Sequence, residues 1–187
     1  MRIIGGTYRG YSLVSPNDYS VRPTSDKVRG SVFDILENGN TKFNFNGNYV
    51  LDLFAGTGAL GLEALSRGAK FCSFVENKKS SQILIQKNIT KLNIAHATSI
   101  LKLDATCLGL AKNTAQFNIA FIDAPYGNAL STLALTSAIN GGWLDNNAII
   151  VIEEKLDNNV ILPAKVTVYD HRFYGKTQII ISRYKTD

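Results

Sequence analysis

The chain has 187 residues, of which 45% are hydrophobic and 19% are charged, as in a globular protein with one full core. No apolar run approaches the ~18 residues of a membrane span, and the N-terminus lacks a signal-peptide segment, so we expect a cytoplasmic protein without membrane contact. The two cysteines, Cys72 and Cys107, match no metal-binding spacing, so we expect neither a metal site nor a disulfide framework.

The net charge of +5 is concentrated at the two ends of the chain. Residues 1–30 carry a net charge of +3, residues 165–187 also carry +3, and the residues between them carry −1. A nearly neutral body with two basic ends suits a polyanionic partner such as nucleic acid. The same charge could also serve solubility alone.

The first predicted elements are a small β-hairpin over "RIIGGTYRGYSLV" and a helix over "RPTSDKVRGSVFDILENG". Thr24 or Ser25 can cap this helix, and Gly30 weakens it by about 1 kcal/mol relative to alanine. The apolar face of the helix consists of Val28, Val32, Phe33, Ile35 and Leu36. A loop rich in glycine and asparagine, residues 37–48, follows the helix.

After this loop, apolar strands alternate with helices. The strands are predicted in "YVLDLF", "KFCSFVE", "ATSILKLDA", "FNIAFIDAPYG" and "AIIVIEE", with helices in "GALGLEALSRG", "NKKSSQILIQKNITKLN" and "NALSTLALTSAINGG". Two further strands, "KVTVYDHRFY" and "TQIIISRY", are joined by a short turn. The pattern predicts right-handed βαβ units, a mostly parallel sheet and a final antiparallel pair.

Glycines at Gly56, Gly58 and Gly61 form a G-x-G-x-x-G motif between the first of these strands and the next helix. Such glycines permit a tight turn, after which backbone N–H groups at the helix start can face a ligand. Glu76 ends the following strand, where a carboxylate can accept both ribose hydroxyls of a bound nucleoside. These features alone fit a nicotinamide dinucleotide equally well.

Asp52 favours a different cofactor. It lies within the first strand, close to the glycines, where a carboxylate would repel the pyrophosphate of a dinucleotide. S-adenosylmethionine has no phosphate and carries an ammonium and a sulfonium group, which an acid would attract. The alternative for Asp52 is an acid that caps the helix or hydrogen bonds the loop.

Asp104 and Asp123 follow two further strands, so we expect them level with Asp52 and Glu76 at the edge of the sheet where ligands bind. Asp104 could accept from the amino group of an adenine, with the Ala105 backbone N–H nearby. It could instead be the N-cap of a short helix.

The motifs together resemble the RsmD family, bacterial methyltransferases that act on the guanine N2 amine of 16S ribosomal RNA. The resemblance rests on "MRIIGGTYRG", "RPTSDKVRGSVFDIL", "VLDLFAGTGALGLEALSRGA", "FVEN" and "DAPYG", which occur in the order and spacing of that family and cover nearly the whole chain. It implies an α/β fold with a Rossmann-like seven-stranded sheet, mostly parallel with an antiparallel last strand, helices on both faces, and a small N-terminal hairpin and helix. We expect one methyltransferase domain, with residues 1–45 as the N-terminal extension and residues 46–187 as the catalytic core.

The resemblance also implies the roles of individual residues. The cofactor, S-adenosylmethionine, would contact Asp52, Phe54, Ala55, Gly56, Gly58, Glu76, Asn77, Asp104 and Ala105. The family's Asp-Pro-Pro-Tyr motif corresponds to Asp123, Ala124, Pro125 and Tyr126, and the RNA surface would include Arg2, Tyr8, Arg9, Arg22 and Arg29. The expected partner is 16S rRNA or an assembly intermediate of the small ribosomal subunit, bound by a monomer.

The four-residue motif suits methyl transfer to an exocyclic amine, whose lone pair is delocalised into the base. The Asp123 carboxylate and the carbonyl of residue 124 could each accept one amine hydrogen and so direct the lone pair at the methyl group. Pro125 restricts residue 124 to extended geometry, and the Tyr126 ring could stack on a flipped-out base.

Two departures from the family pattern are visible. Ala124 replaces a proline, but that role needs only a carbonyl, so we expect activity to be retained. Gly30 stands where the family usually has glutamate, which leaves the role of that helix open. Three rival hypotheses are an adenine-N6 methyltransferase of DNA or RNA, a non-catalytic RNA-binding assembly factor, and a nicotinamide oxidoreductase.

Overall fold

The computed structural model describes residues 1–15, 26–111, 115–125 and 129–186. The described helices are α1 (Asp26–Asn38), α2 (Ala59–Ser66), α3 (Lys79–Leu92) and α4 (Leu130–Asn140), with single 3₁₀ turns at Ala95–Ala97 and Ala105–Cys107. The strands are β1 (Tyr49–Leu53), β2 (Phe71–Val75), β3 (Thr98–Leu101), β4 (Phe117–Asp123), β5 (Leu144–Lys155), β6 (Val166–Tyr174) and β7 (Thr177–Tyr184). In this part of the chain, no helix is long and apolar enough to cross a membrane.

The seven strands form one mixed sheet in the order β3-β2-β1-β4-β5-β7-β6. β1 to β5 pair in parallel, whereas β7 runs antiparallel to both of its neighbours. The predicted α/β fold, with a mostly parallel seven-stranded sheet and an antiparallel last strand, is therefore confirmed. The strand order reverses between β1 and β4, which is where open α/β sheets bind ligands beyond the carboxyl ends of their strands.

Two hydrophobic layers cover the sheet. On one face, α1, α2 and α3 contribute buried residues such as Phe33, Leu62 and Ile85. On the other face, α4 contributes residues such as Leu135, which pack with buried residues of β4 and β5. The central strands are apolar on both sides, as expected of a parallel sheet covered by helices, so Asp52 is unusual among them.

The N-terminal segment, residues 1–15, has antiparallel pairing but no regular strands. One bridge joins Arg2 to Ser12, and backbone hydrogen bonds join Ile3 N to Tyr11 O and Leu13 N to Met1 O. The predicted hairpin is thus present only as a short ladder. The predicted caps of α1, Thr24 and Ser25, lie outside the described residues.

Replacing Gly30 with alanine is expected to raise the free energy of unfolding by about 0.5–1 kcal/mol, because glycine costs more backbone entropy inside a helix. An added Cβ would meet only Ile4 side-chain atoms, at an ordinary contact distance of 3.7 Å. Urea denaturation measures the change. As a contrast, Gly6→Ala should destabilise, because Gly6 has a φ of +73° and its Cβ would lie 1.8 Å from the Ser66 carbonyl oxygen. A loss of stability in Gly30→Ala would contradict this interpretation.

Candidate active site

The strand register brings Glu76 and Asp123 to the same level at the carboxyl edge of the sheet. Leu53, the last residue of β1, is paired with Val75 on one side and with Ile122 on the other. Glu76 is the residue after Val75, and Asp123 is the residue after Ile122. Neighbouring strands lie about 4.8 Å apart, so the two acids flank the end of β1 at a backbone separation of roughly 10 Å.

The chain between β1 and α2 makes a tight turn in this gap. Phe54, Gly56 and Gly58 have positive φ angles of 56°, 56° and 80°. Gly61 serves a different purpose, because its added Cβ would lie 2.5 Å from both Cys72 Sγ and the Phe74 ring. The third glycine of the motif therefore allows α2 to pack closely on β2, as in dinucleotide-binding folds.

Glu76 is buried and hydrogen bonds to the backbone on both sides. Its Oε2 accepts from Gly56 N at 2.9 Å, and its Oε1 accepts from Lys78 N at 2.8 Å. A carboxylate has about four lone-pair sites, so both oxygens keep capacity for a further donor such as a ribose hydroxyl. Glu76 thus lies where the sequence predicts it, and its contact with a ribose stays a prediction.

Asp52 lies deeper than the sequence predicted. Its register partners are Phe74 and Phe121, so it is below the level of Glu76 and Asp123, and it is only 1% exposed. Asp52 Oδ2 accepts from Gly61 N in the first turn of α2, at 2.9 Å. The geometry agrees with the alternative that this acid bonds a helix terminus. Contact between Asp52 and a cofactor stays a prediction.

Burial raises the pKa of Asp52 from 3.8 to about 8; the Gly61 N–H opposes this rise, and the charge of Glu76 adds to it. Asp52 therefore holds a proton at neutral pH in the folded protein, whereas it is ionised in the unfolded chain. Attraction between an ionised Asp52 and the sulfonium of a bound cofactor stays a prediction. In the strand register, Glu76 and Asp123 lie closer than Asp52 to the carboxyl edge of the sheet.

The Asp52 proton should make stability depend on pH. Between about pH 4 and pH 8 the folded state holds one more proton than the unfolded state, so stability falls as the pH rises through this window. We expect the unfolding free energy of the wild type to decline relative to Asp52→Asn, by at most about 1.4 kcal/mol per pH unit. Urea denaturation of both proteins at pH 5, 6, 7 and 8 tests this. Parallel pH profiles for the two proteins would contradict it.

Asp104 and Ala105 follow β3 but lie beyond the level of Glu76. The Asp104 Oδ1 accepts from the backbone N–H and the hydroxyl of Thr106, at 2.8 and 2.7 Å, so Asp104 is the N-cap of the following 3₁₀ turn. These two bonds lower the pKa of this exposed carboxyl. The N-cap alternative is therefore observed. Contacts of Asp104, Ala105 and the exposed Asn77 with an adenosine stay predictions.

Among the other predicted cofactor residues, Ala55 is buried and its N–H donates to Val75 O at 3.1 Å, which ties the loop to β2. Phe54 is partly buried at the end of β1. Gly58 N donates to Ala55 O at 2.7 Å and closes the turn.

Asp123 is the last residue of β4 and is partly exposed. Ala124 is buried and Pro125 is exposed, while Tyr126 lies outside the described residues. The neighbouring strand places Glu153, only 9% exposed, directly beside Asp123 in the parallel register. The sequence analysis did not identify Glu153 as a site residue, because only the register of β5 brings it to this edge.

Three of the predicted RNA-binding residues lie in the N-terminal segment. Arg2 and Arg9 are exposed, and the side chain of Arg2 is 71% accessible. Tyr8 is partly buried against the core and contacts the half-exposed Tyr11 edge to face, with ring centroids 6.1 Å apart. Arg22 lies outside the described residues. The accessible side chains suit an RNA surface, and that role stays a prediction.

Arg29 is not part of this surface, and the sequence-based prediction for it is wrong. Its side chain is fully buried, donates to Asp26 at 2.9 Å and to the Arg2 carbonyl, and lies 3.8 Å from the buried carboxylate of Glu63. Because Arg29 neutralises an internal acid, it cannot reach a phosphate in this arrangement.

Three residues that the sequence analysis missed hold the N-terminal segment in place. Glu63 accepts from Ile4 N and Gly5 N, both at 2.8 Å. Ser66 Oγ accepts from Tyr8 N at 2.9 Å. Asn88 is fully buried on α3 and bonds both the N–H and the carbonyl of Val14 and also the carbonyl of Thr57 in the glycine loop. Each of the three is a polar residue on the apolar face of its helix, and this pattern in the sequence could have identified them.

A sequence model of the family described as conserved hypothetical protein 95 matches residues 1–183. The chain is 32% identical over 176 residues to the ribosomal RNA small subunit methyltransferase D of Buchnera aphidicola subsp. Acyrthosiphon pisum, covering 94% of this chain and 89% of that protein. The protein of the same name from Escherichia coli K12 is 32% identical over 177 residues, covering 94% and 86%.

The fold is also similar to solved structures. The yhhF protein of Escherichia coli superposes with a TM-score of 0.86 at 28% sequence identity, over 100% of this chain and 99% of that one. The sequence motifs, the seven-stranded fold and these matches along nearly the whole length lead to one assignment. The chain belongs to the RsmD family.

Proposed function

We propose that this protein is an rRNA methyltransferase that uses S-adenosylmethionine to methylate the exocyclic N2 amine of a guanine in 16S rRNA. The observation that carries the proposal is the placement of Glu76 and Asp123 on either side of the glycine turn, at one level of the sheet. Its relatives named ribosomal RNA small subunit methyltransferase D support the reaction and the class of RNA.

The hydrogen bonds of the glycine turn support a cofactor without phosphate. Gly56 N donates to Glu76 and Gly61 N donates to Asp52, while Gly58 N donates to the Ala55 carbonyl. In a dinucleotide site, backbone N–H groups of this kind bind the pyrophosphate. Here they already have protein acceptors, so the turn suits S-adenosylmethionine better than a nicotinamide dinucleotide.

When bound, S-adenosylmethionine supplies an activated methyl group. The residues of the chain hold and orient the reactants: Glu76 would bind the ribose hydroxyls, and the loop of Phe54, Ala55 and Gly56 would lie beside the methionine part. Asp123 and the Ala124 carbonyl would accept the two hydrogens of the guanine amine. This arrangement would keep the nitrogen lone pair directed at the methyl group, and the Asp123 carboxylate would accept the proton that the amine releases.

Glu153 favours guanine over adenine as the target. A carboxylate accepts hydrogen bonds without donating whenever it is ionised, and the β4–β5 register puts Asp123 and Glu153 next to each other at this edge. Guanine presents adjacent donors there, the N2 amine and N1–H. Adenine presents its N6 amine next to N1, which is an acceptor and would face a carboxylate unfavourably. We therefore assign Glu153 to the guanine N1–H.

Replacing Glu153 with glutamine should reduce the preference for guanine over adenine by about tenfold, because an amide can donate to adenine N1. The measurement compares kcat/KM on RNA with guanine or adenine at the methylated position. Glu154→Gln is the matched control, since Glu154 is the next residue, alternates to the opposite face and accepts from Ser131 at 3.0 Å. Equal discrimination by wild type and Glu153→Gln would remove Glu153 from the recognition of the base.

The proposal as a whole is tested with purified protein, labelled S-adenosylmethionine and small-subunit rRNA, as naked RNA and as assembled particles. We expect one guanine to become N2-methylated, as mapped by nuclease digestion and mass spectrometry. Methylation of an adenine would favour the adenine-N6 alternative. RNA binding without any binding of S-adenosylmethionine in calorimetry would favour the non-catalytic assembly factor.

A further inference from the structure

The outward side of α3 carries a regular row of exposed residues. Lys79, Ile83, Lys87 and Lys91 follow one another at four-residue spacing, so they lie along one side of the helix. We call these four residues the α3 lysine row. The buried side of the helix is formed by Ile85, Asn88, Ile89 and Leu92. The row extends over about 18 Å at 1.5 Å per residue.

The charge of α3 has one sign. Residues 78–92 contain four lysines and no acidic residue. Within the described part of the chain, neither Lys79 nor Lys87 takes part in an ion pair. A surface helix that serves only solubility usually mixes both signs and gains from Glu–Lys pairs one turn apart. The uniform charge of this helix indicates an anionic partner.

The α3 lysine row connects two regions already assigned to the substrates. At its first end, Lys78 N donates to Glu76 Oε1 beside the predicted cofactor site. At its other end, Lys91 Nζ donates to the carbonyl of Ser12, the bridge partner of Arg2, at 2.6 Å. The row is therefore continuous with the exposed basic residues of the N-terminal segment, and one extended polyanion could contact both.

We propose that the α3 lysine row binds the phosphate backbone of the substrate RNA and holds the strand beside the active site. This inference rests on the proposed function for the identity of the polyanion. Three charges spread over about 18 Å suit successive phosphates of a strand rather than a single phosphate ion. Ile83, which is 47% exposed within the row, offers apolar contact to a sugar or an unstacked base.

The test is the binding of a fluorescent fragment of small-subunit rRNA by the double variant Lys79→Gln/Lys87→Gln, without S-adenosylmethionine. Lys91 is left intact because it also bonds Ser12. We expect the affinity at 0.1 M salt to fall about five- to tenfold. The slope of log K against log salt should become shallower by about one for each lysine removed.

Lys42→Gln/Lys70→Gln is the matched control, because both lysines are exposed and precede β1 and β2, at the opposite edge of the sheet. The proposal would be overturned if Lys79→Gln/Lys87→Gln left the slope of log K against log salt unchanged. It would also be overturned if the control variant lost as much RNA affinity, or if the wild type bound no RNA. Methyl transfer is assayed separately. Salt-dependent RNA binding through the row without methyl transfer would refute the proposed function and leave this inference standing.

Discussion

Replacing Asp123 with alanine is expected to lower kcat for methyl transfer by about 10²- to 10³-fold, with little change in the affinity for S-adenosylmethionine. The carboxylate at the end of β4 would be one of two acceptors that hold the guanine amine, and removal of one preorganised hydrogen-bonding group typically has an effect of this size. Asp123→Asn keeps one acceptor oxygen but no charge, so its kcat should lie between that of the alanine variant and that of the wild type. Single-turnover kinetics with saturating RNA measures the change, and calorimetry measures cofactor affinity.

Asp34→Ala is a matched control for this experiment. Asp34 is exposed on α1, remote in sequence from the site, and accepts from Asn38 Nδ2 at 2.8 Å. It should leave kcat unchanged. If Asp123→Ala retained the wild-type kcat, or lost only cofactor binding, Asp123 could not be the acceptor for the amine.

Replacing Glu63 with glutamine should lower the free energy of unfolding by about 3 kcal/mol. The Glu63 side chain is fully buried and serves two backbone N–H groups of the N-terminal segment, Arg67 Nε at 2.9 Å and the buried Arg29. A neutral amide would leave the buried Arg29 without full charge compensation, and breaking one side of a buried ion pair typically costs 3–5 kcal/mol. For a domain of this size the melting temperature should fall by about 6–12 °C.

Glu37→Gln provides the comparison, because Glu37 pairs with the same Arg67 from a position where its side chain is 33% exposed. Solvent screening should limit its effect to less than about 1 kcal/mol. Chemical denaturation of the two variants and the wild type, monitored by circular dichroism, gives the three free energies. Similar losses in both variants would show that burial of Glu63 does not control the docking of the N-terminal segment.

The sheet could be predicted from the sequence because its signal is local. Apolar runs alternate with helical periodicity from Tyr49 onward, and glycines mark the turns, so a mostly parallel sheet and the antiparallel pair β6–β7 followed from general rules. The N-terminal segment was less predictable. Its pairing depends on hydrogen bonds to Glu63 and Asn88, which are far away in sequence, and a local pattern carries no information about such partners.

The candidate site was predictable in its residue types but not in the depth of each side chain. Glu76 and Asp123 end their strands as expected. Asp52 is one residue before the end of β1 and two residues below the level of Glu76 and Asp123, and at this depth its side chain is buried and its pKa is raised. Arg29 shows the same difficulty. A basic residue in a basic segment is predicted to lie on the surface, and only the structure shows that the buried acid Glu63 faces it. The position of Glu153 beside Asp123 could not be predicted, because it depends on the register between β4 and β5.

The docking of the N-terminal segment has a consequence for how the protein is made. This segment is synthesised before the helices that hold it, because Ile4 bonds a residue 59 positions later and Val14 bonds one 74 positions later. At synthesis rates of about 5–20 residues per second, the nascent segment waits roughly 3–15 s before its partners are translated. During that interval its apolar residues Ile3 and Leu13, buried in the finished protein, are exposed to solvent or chaperones.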